Sequence, residues 1–247
     1  LLTWNTWFGH RRFRERSAAL LDELAWRSPD VVALQEVTPE LVKLLVEHPF
    51  VRVHYQLSDV DSSTFDAYAG YGVMLLSKQP FTSAGLLHLP SRMGRRLLVG
   101  QLASGLCVAT VHLESTSARA AERAEQLRLI QPFLAGHAED VVLMGDMNFA
   151  PEAPAETAAL DPSFADAWTQ RKPVDPGYTV DSLRNDLRRR TNGHTQQRID
   201  RIFVRGARWR VQGISLTGTT PIDEAGTFVS DHFGLEVVLE SRSPSSP

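Results

Sequence analysis

The sequence predicts an α/β domain in which two β-sheets pack face to face with helices on the outside. Strand-like apolar runs outnumber helical patterns along its 247 residues. Some of those runs are continuous and others alternate, a mixture that a single open parallel sheet does not require. Nearly every run also stops at a polar side chain. The single parallel sheet remains the competing arrangement at this level.

The elements follow in order. Leu1–Trp4 reads as a short strand leading into Asn5. From Phe13 to Trp26 apolar residues recur at helical spacing, and Ser28-Pro29 supplies the stop. Val31–Leu34 is a buried strand that delivers Gln35 and Glu36 at its end, and Thr38 is placed to cap a helix from Pro39 to about Glu47. Strands are expected at Gly72–Leu76, Leu97–Leu102 and Leu106–Leu113. Ser117–Leu134 has the strongest helical pattern, with Leu127, Ile130 and Leu134 on one face and Arg and Glu on the other. Val141–Met144 is a further buried strand ending at Gly145-Asp146. Residues 150–197 read mostly as loop, before late strands at Arg198–Val204, Trp209–Leu216 and Phe233–Leu239. The Ser/Pro-rich tail Ser241–Pro247 is expected to be disordered, leaving residues 1–240 as one domain.

Composition narrows the function. A net charge of -3 gives no global basic field for nucleic acid, so any such contact must be local. The single cysteine, Cys107, excludes an internal disulfide, lies in an apolar run as an inert core thiol, and suits an intracellular compartment (cytoplasm, nucleoid or nucleus). No stretch approaches the roughly 20 apolar residues of a membrane helix. The chain opens on Leu1-Leu2-Thr3-Trp4 without an initiator Met or a signal-like segment, and is expected to be a trimmed piece of a longer one. No glycine-rich phosphate loop appears, which disfavours nucleotide-dependent phosphoryl transfer.

The polar strand ends are the candidate site. Each has an ordinary structural reading: Glu36 as a solvated loop carboxylate, Asn5 as a turn residue, Asp146 and Asn148 as a tight turn, His112 as a core imidazole bonded to backbone. Asp200 resists such a reading. A carboxylate between Ile199 and Ile202 costs several kcal/mol to desolvate unless it is paired, with Arg198, Arg201 or the His232 imidazole as candidates. Taken together, carboxylates, amides and imidazoles at several strand ends suit a metal-assisted phosphoester hydrolase, in which acid groups hold a hard cation and amides and imidazoles stabilise phosphoryl oxygens.

The order Asn5, Gln35-Glu36, His112, Gly145-Asp146-x-Asn148, Asp200-Arg201-Ile202 and Ser230-Asp231-His232 resembles the endonuclease/exonuclease/phosphatase (DNase I-like) superfamily over nearly the whole chain. A narrower resemblance is to its branch that hydrolyses 5′-phosphotyrosyl-DNA bonds. It is carried by His112-Leu113-Glu114-Ser115-Thr116, Ala120–Arg123 with Gln126-Leu127, Leu89-Pro90-Ser91 with Met93 and Arg95, and Tyr178-Thr179 before Asp181. Three positions depart from that branch: Trp7 stands where it has an acid, Ala150 where it has an arginine, and Val180 where it has a tryptophan.

The resemblance implies a four-layer αββα sandwich, two packed mixed sheets flanked by helices, with the site at one edge. It implies Mg²⁺, with Mn²⁺ as an alternative, held by Glu36 with Asn5 assisting and Asp231 acting through water. Asp146 would deprotonate the attacking water, Asn148 and His232 would donate to phosphoryl oxygens, Asp200 would orient His232, and Ser115 and His112 would complete the cradle. The implied partner is a single-stranded DNA 5′ end bearing a tyrosyl adduct, contacted by Arg95 and stacked on Tyr71, with the protein a monomer and no membrane involved. Arg92, Arg95 and Arg96, and separately Arg184, Arg188–Arg190, Arg198 and Arg201, form two candidate basic clusters. The rivals are another Mg²⁺-dependent nuclease, an abasic endonuclease or a phosphoester phosphatase of the superfamily. From a different class comes an inactive DNA-binding module, disfavoured because every core position holds a competent residue. A sphingomyelinase-like lipid hydrolase is disfavoured by the lack of an apolar hairpin.

Overall fold

The structure, a computed structural model, describes residues 1–66 and 69–242. In chain order the elements are β1 (Leu2–Asn5), α1 (Phe13–Arg27), β2 (Val31–Val37), α2 (Pro39–Glu47), α3 (Pro49–His54), β3 (Gln56–Leu57), β4 (Gly72–Ser77), β5 (Phe81–His88), β6 (Arg96–Leu102) and β7 (Cys107–His112). There follow α4 (Ala120–His137), β8 (Val141–Asp146), α5 (Pro154–Thr157), β9 (Ala165–Asp166), α6 (Ala167–Arg171), β10 (Val180–Asp181), α7 (Asp186–Asn192), β11 (Gln196–Gln197), β12 (Asp200–Arg205), β13 (Trp209–Thr217) and β14 (Gly234–Ser241).

Two six-stranded mixed sheets form, in the orders β13-β14-β1-β2-β4-β3 and β5-β6-β7-β8-β12-β9. Each contains one parallel pair, β1–β2 and β7–β8, and a helix links the strands of each pair. Between the sheets lie Ala33, Leu75, Val108, Val142, Ile202 and Leu235. The outer face of the first sheet presents Leu2, Trp4, Val32 and Leu34 to Leu20 and Leu24 of α1 and Leu41 of α2. On the outer face of the second, Leu97, Ala109 and Leu143 meet Leu127, Ile130 and Leu134 of α4. Four layers result, helix, sheet, sheet, helix. Both faces of the central strands are covered, so those strands read as continuous apolar runs. Each such buried Leu or Val contributes roughly 1.5–3 kcal/mol over leaving it in water.

Several expectations need adjusting. The helix expected from Ser117 begins with a 3₁₀ turn at Ser117–Arg119 and runs to His137, past Pro132. Pro132 and Arg128 both lie on the exposed face, where water can satisfy the carbonyl that proline leaves without a donor. β5 was not anticipated. It is an edge strand whose residues are mostly exposed, so it carries no apolar run. Residues 150–197 contain short elements with their own caps: Asp166 Oδ1 accepts from Trp168 N–H and Thr169 N–H, and Asn185 Oδ1 accepts from Leu187 N–H and Arg188 N–H. The expected tail begins later than Ser241, which pairs with Trp209, while Arg242 N–H donates to Arg208 O; residues 243–247 lie outside the described residues.

Candidate active site

The site forms where the parallel pairs of the two sheets end. In the first sheet Asn5 is the register partner of Gln35, and the ladder between β2 and β4 slips between Leu34 and Val37. Glu36 sits in that slip with φ 56°, a left-handed conformation that turns its carboxylate away from the ladder. In the second sheet Asp146 is the partner of His112 on one side and of Asp200 on the other. Gly145 makes this close packing possible. Its φ is 143°, and a Cβ there would lie 2.0 Å from Val111 O.

Asn5 joins the sheets. Its Nδ2 donates to Glu36 Oε1 at 3.0 Å and to Asp146 Oδ2 at 2.9 Å, while its Oδ1 accepts from Trp7 N–H at 3.0 Å. Phe8 N–H holds the second oxygen of Glu36 at 3.0 Å. Ser230 Oγ donates to Asn5 O at 2.6 Å and accepts from His232 N–H at 3.2 Å, tying the 230–232 segment to β1. Trp4 Nε1 reinforces the tie by donating to His232 O at 2.9 Å.

Asp200 finds its partner in His232, with Nδ1 and Oδ2 2.8 Å apart. The adjacent arginines go elsewhere: Arg198 and Arg201 both reach Asp166 Oδ2 at 2.7 Å. Burial opposes a charge on His232, but Asp200, with Asp231 and Asp146, overrides it and pushes the imidazole up to about 10. At neutral pH His232 is therefore a cation. Burial and Asp200 push Asp146 up to about 6, against His232 and the hydrogen bonds from Asn5 and Asn148. Burial and Asp231 likewise raise Glu36 to about 7.

His112 behaves differently. Burial, with Arg95 and His232 nearby, holds it well below the ordinary imidazole range, so it is neutral. Arg95 faces both ring nitrogens, Nη1 at 3.1 Å from Nδ1 and Nη2 at 3.3 Å from Nε2, while the Asp146 carboxylate, with Oδ2 3.3 Å from Nε2, is the acceptor that favours a proton on Nε2. Arg95 is itself only 5% exposed, donating to Ser115 Oγ at 2.7 Å and Tyr71 OH at 3.3 Å. Asn148 donates its backbone N–H to Asp146 Oδ1 at 2.9 Å and its Nδ2 to Leu113 O and Ser115 Oγ.

All eleven expected residues thus fall in one connected region, though not on equal terms. Glu36, His112, Ser115, Asp146, Asn148, Asp231 and His232 border a cavity of about 850 Å³. Tyr71 stands to one side, stacked on Phe8 with centroids 4.8 Å apart. Asp231 Oδ2 is held 3.0 Å from Arg188 Nη1.

The two basic clusters divide: Arg95 and Arg188 reach the site, and several other members are held in ion pairs. Arg96 pairs with Asp66, Arg92 lies at 3.9 Å from Glu122, Arg198 and Arg201 are buried on Asp166, and Arg189 bridges Asp186. At the departures, Ala150 borders the cavity, Val180 is fully buried in β10, and Trp7 lies under the Arg16 guanidinium at 4.5 Å.

Phe8 and Thr179 were not anticipated at the site, and Arg188 was expected only as a member of a candidate basic cluster. Its run of three arginines reads as readily as a solvated face as it does as a DNA contact. Thr179 Oγ accepts from Ile199 N–H and Asp200 N–H, a role only the fold can reveal. Glu114, fully buried, accepts from Ser91 Oγ and Arg92 N–H and thereby shapes the loop that carries Arg95. Gln126 supports the same loop through Pro90 O and Glu114 N–H.

A divalent cation fits this donor set. Glu36 and Asp146 are carboxylates whose ionisation is resisted by burial and by an acidic neighbour, Asp231 for Glu36 and Asp200 for Asp146, and an added positive charge would relieve both. Asp146, Asp200 and His232 also offer ligand atoms within 4.8 Å of one another and could hold a metal, although His232 Nδ1 is already committed to Asp200. Hard oxygen donors with few protein ligands suit Mg²⁺-like ions.

A two-sheet sandwich with this constellation at one edge defines a phosphoester-hydrolase class of site. Residues 2–232 match the model of the Endonuclease/Exonuclease/phosphatase family, and the chain belongs to it. Among curated proteins it is similar to tyrosyl-DNA phosphodiesterase 2 (TDP2) of Xenopus laevis, 32% identical over 247 residues, covering 95% of this chain and 64% of that protein. The Homo sapiens protein of the same name is 31% identical over 254 residues, covering 95% of this chain and 66% of its own length. The chain thus spans just under two thirds of these relatives. Among solved structures, Danio rerio TDP2 complexed with single strand DNA product superposes with TM-score 0.84 at 26% identity, over 97% of both chains. A humanized form of the same protein gives 0.83 at 27%, again over 97% of both chains.

Proposed function

We propose that this chain is a Mg²⁺-dependent phosphodiesterase that hydrolyses a 5′-phosphotyrosyl-DNA bond and leaves a 5′-phosphate. The carrying observation is the Asp200–His232 pair at 2.8 Å, which sets a buried imidazolium beside the carboxylate of Asp146 at the wall of the cavity. The likeness to TDP2 supports the substrate. The DNA-product complex of the Danio rerio relative supports a single-stranded 5′ end.

Glu36, with Asn5 beside it and Asp231 reaching through water, would hold the cation. Mg²⁺, or Mn²⁺ in its place, supplies Lewis-acid polarisation of a phosphoryl oxygen when bound. Asp146, raised to about 6, is poised as a general base near neutral pH and takes a proton from the attacking water. The water oxygen bonds to phosphorus while the bond to the tyrosyl oxygen breaks. His232 and Asn148 donate to the phosphoryl oxygens of the five-coordinate phosphorus. Asp200 fixes the His232 tautomer, and His112 and Asn5 orient Asp146. Ser115 and Arg95 complete the cradle, with Tyr71 placed for stacking. A phenol has a pKa near ~10, so the leaving oxygen departs as phenolate with little acid assistance and takes its proton from solvent. The reading places the enzyme as a monomer acting inside the cell, in the cytoplasm or the nucleoid or nucleus. No helix among the described residues is long and apolar enough to cross a membrane.

The test is release of tyrosine from a 5′-phosphotyrosyl single-stranded oligonucleotide with Mg²⁺ and with EDTA, beside His232→Ala and an abasic duplex. Mg²⁺-dependent release, lost in the variant, is expected. Cleavage of the abasic duplex alone would move the chain to the repair endonucleases, and a fully active His232→Ala would sink the mechanism.

A further inference from the structure

Among the described residues of the Arg188–Arg190 run, Arg188 alone borders the large cavity. Arg189 bridges to Asp186, and Arg190 lies in a separate pocket with Arg11 and Arg12. The helix that carries Arg188 is anchored to the site. Asn185 caps α7 with its Oδ1 and donates through Nδ2 to Ser230 O at 2.9 Å, so α7 is fixed relative to the Ser230-Asp231-His232 segment. The side chain is 12% exposed and held at two points, by Nη1 to Asp231 Oδ2 at 3.0 Å and by Nε to Thr195 Oγ at 3.3 Å.

Two features point beyond neutralisation of Asp231. Nη1 lies 3.5 Å from His232 Nε2, the ring nitrogen left over after Nδ1 is committed to Asp200. Nη2 makes no hydrogen bond among the described residues. Arg188 and His232 thus stand side by side at the cavity wall, a guanidinium with one uncommitted nitrogen next to an imidazolium, and such a pair suits an anion with several oxygens. A lysine or a water would satisfy Asp231 without that arrangement.

We infer that Arg188 is a substrate-binding residue that donates to a non-bridging oxygen of the phosphate faced by His232, with Asp231 holding its fork in place. The inference rests on the phosphodiesterase reading of the site and adds to it a phosphate-gripping group on α7.

Binding is measured in EDTA by fluorescence anisotropy, using a 5′-phosphorylated single-stranded oligonucleotide and the same oligonucleotide with a 5′-hydroxyl. The wild-type protein should prefer the phosphorylated end, and Arg188→Ala should reduce that preference about 10- to 100-fold, the range of a charge-assisted hydrogen bond. Arg188→Lys keeps a charge against Asp231 and serves if the alanine variant fails to fold; it should lose most of the preference. An Arg188→Ala/Asp231→Asn double variant should not recover it. A retained preference in Arg188→Ala, recovery in the double variant, or no preference in the wild type would each overturn the inference. Tyrosine release by the wild type is assayed separately with Mg²⁺. Its absence would remove the proposed substrate while the phosphate preference, and Arg188's part in it, is still read directly.

Discussion

Asp146 and Asp200 are register partners across the antiparallel β8–β12 ladder, so two carboxylates share one face of the sheet at the edge of the cavity. Their fates diverge through a single contact. Asp200 is taken by His232 Nδ1, while Asp146 receives Asn5, His112 and the N–H of Asn148 and has its proton affinity raised by burial and by Asp200.

Asp200→Asn should therefore move two ionisations together. Burial opposes the His232 charge and Asp200 is the largest effect raising it, so its loss lowers His232 from about 10. The same loss lowers Asp146 from about 6. Both limbs of the pH dependence of kcat/KM should shift to lower pH, with kcat down by roughly two to four orders of magnitude. Unmoved limbs would show that Asp200 does not set these ionisations.

Glu36→Gln should separate stability from function. The carboxylate is raised to about 7 by burial and Asp231, so the unfolded chain gives up its proton first as pH rises. The resulting destabilisation is absent below the ordinary carboxylate range and complete above about 7. In EDTA the variant should be more stable than wild type at pH 8, by on the order of 1 kcal/mol, and equal to it at pH 4. Added Mg²⁺ should raise the Tm of the wild type and not of the variant.

Asp166 is a structural counterpart. Burial pushes its carboxyl up, but Arg201 and Arg198 overcome burial and hold it below its ordinary value. A depressed pKa contributes stability that is present above the unfolded value and is lost as pH falls through the folded one. Asp166→Asn should cost about 3–5 kcal/mol at pH 7, because it leaves two buried guanidiniums without their partner. The difference should shrink below about pH 4, where the unfolded carboxyl already binds its proton. Urea unfolding at both pH values measures it.

Gly145→Ala tests the close packing that brings His112 to Asp146. A Cβ 2.0 Å from Val111 O on a residue at φ 143° cannot be placed without moving backbone. A loss of several kcal/mol, or failure to fold, is expected from thermal unfolding. A variant of wild-type stability would mean that β7 and β8 can part at their ends.

Much of this was legible in the residues. Leu2, Trp4, Val32, Val108 and Val142 are apolar because both faces of their strands are covered, so the strands and the polar residue ending each could be read from hydrophobic runs alone. β5 escaped because an exposed edge strand has no core to fill. The class of chemistry was legible in part: Asn5, Glu36, Asp146 and Asn148 each had an ordinary structural reading alone, and only their joint placement at strand ends with Asp200 and His232 pointed to a metal-assisted phosphoester hydrolase.

What the tertiary structure decided was partnership. By sequence proximity Arg198 and Arg201 could have neutralised Asp200; the fold hands both to Asp166 and gives Asp200 to His232, 32 residues away. It likewise draws Arg188 out of an arginine run to Asp231, and joins Asn5 to Asp146 across 141 residues. Hydrophobic periodicity is a local property that each segment carries by itself. The pairing of buried charges is settled only when two sheets meet and the ladder register brings particular atoms within reach, and here that meeting raises the proton affinity of both His232 and Asp146.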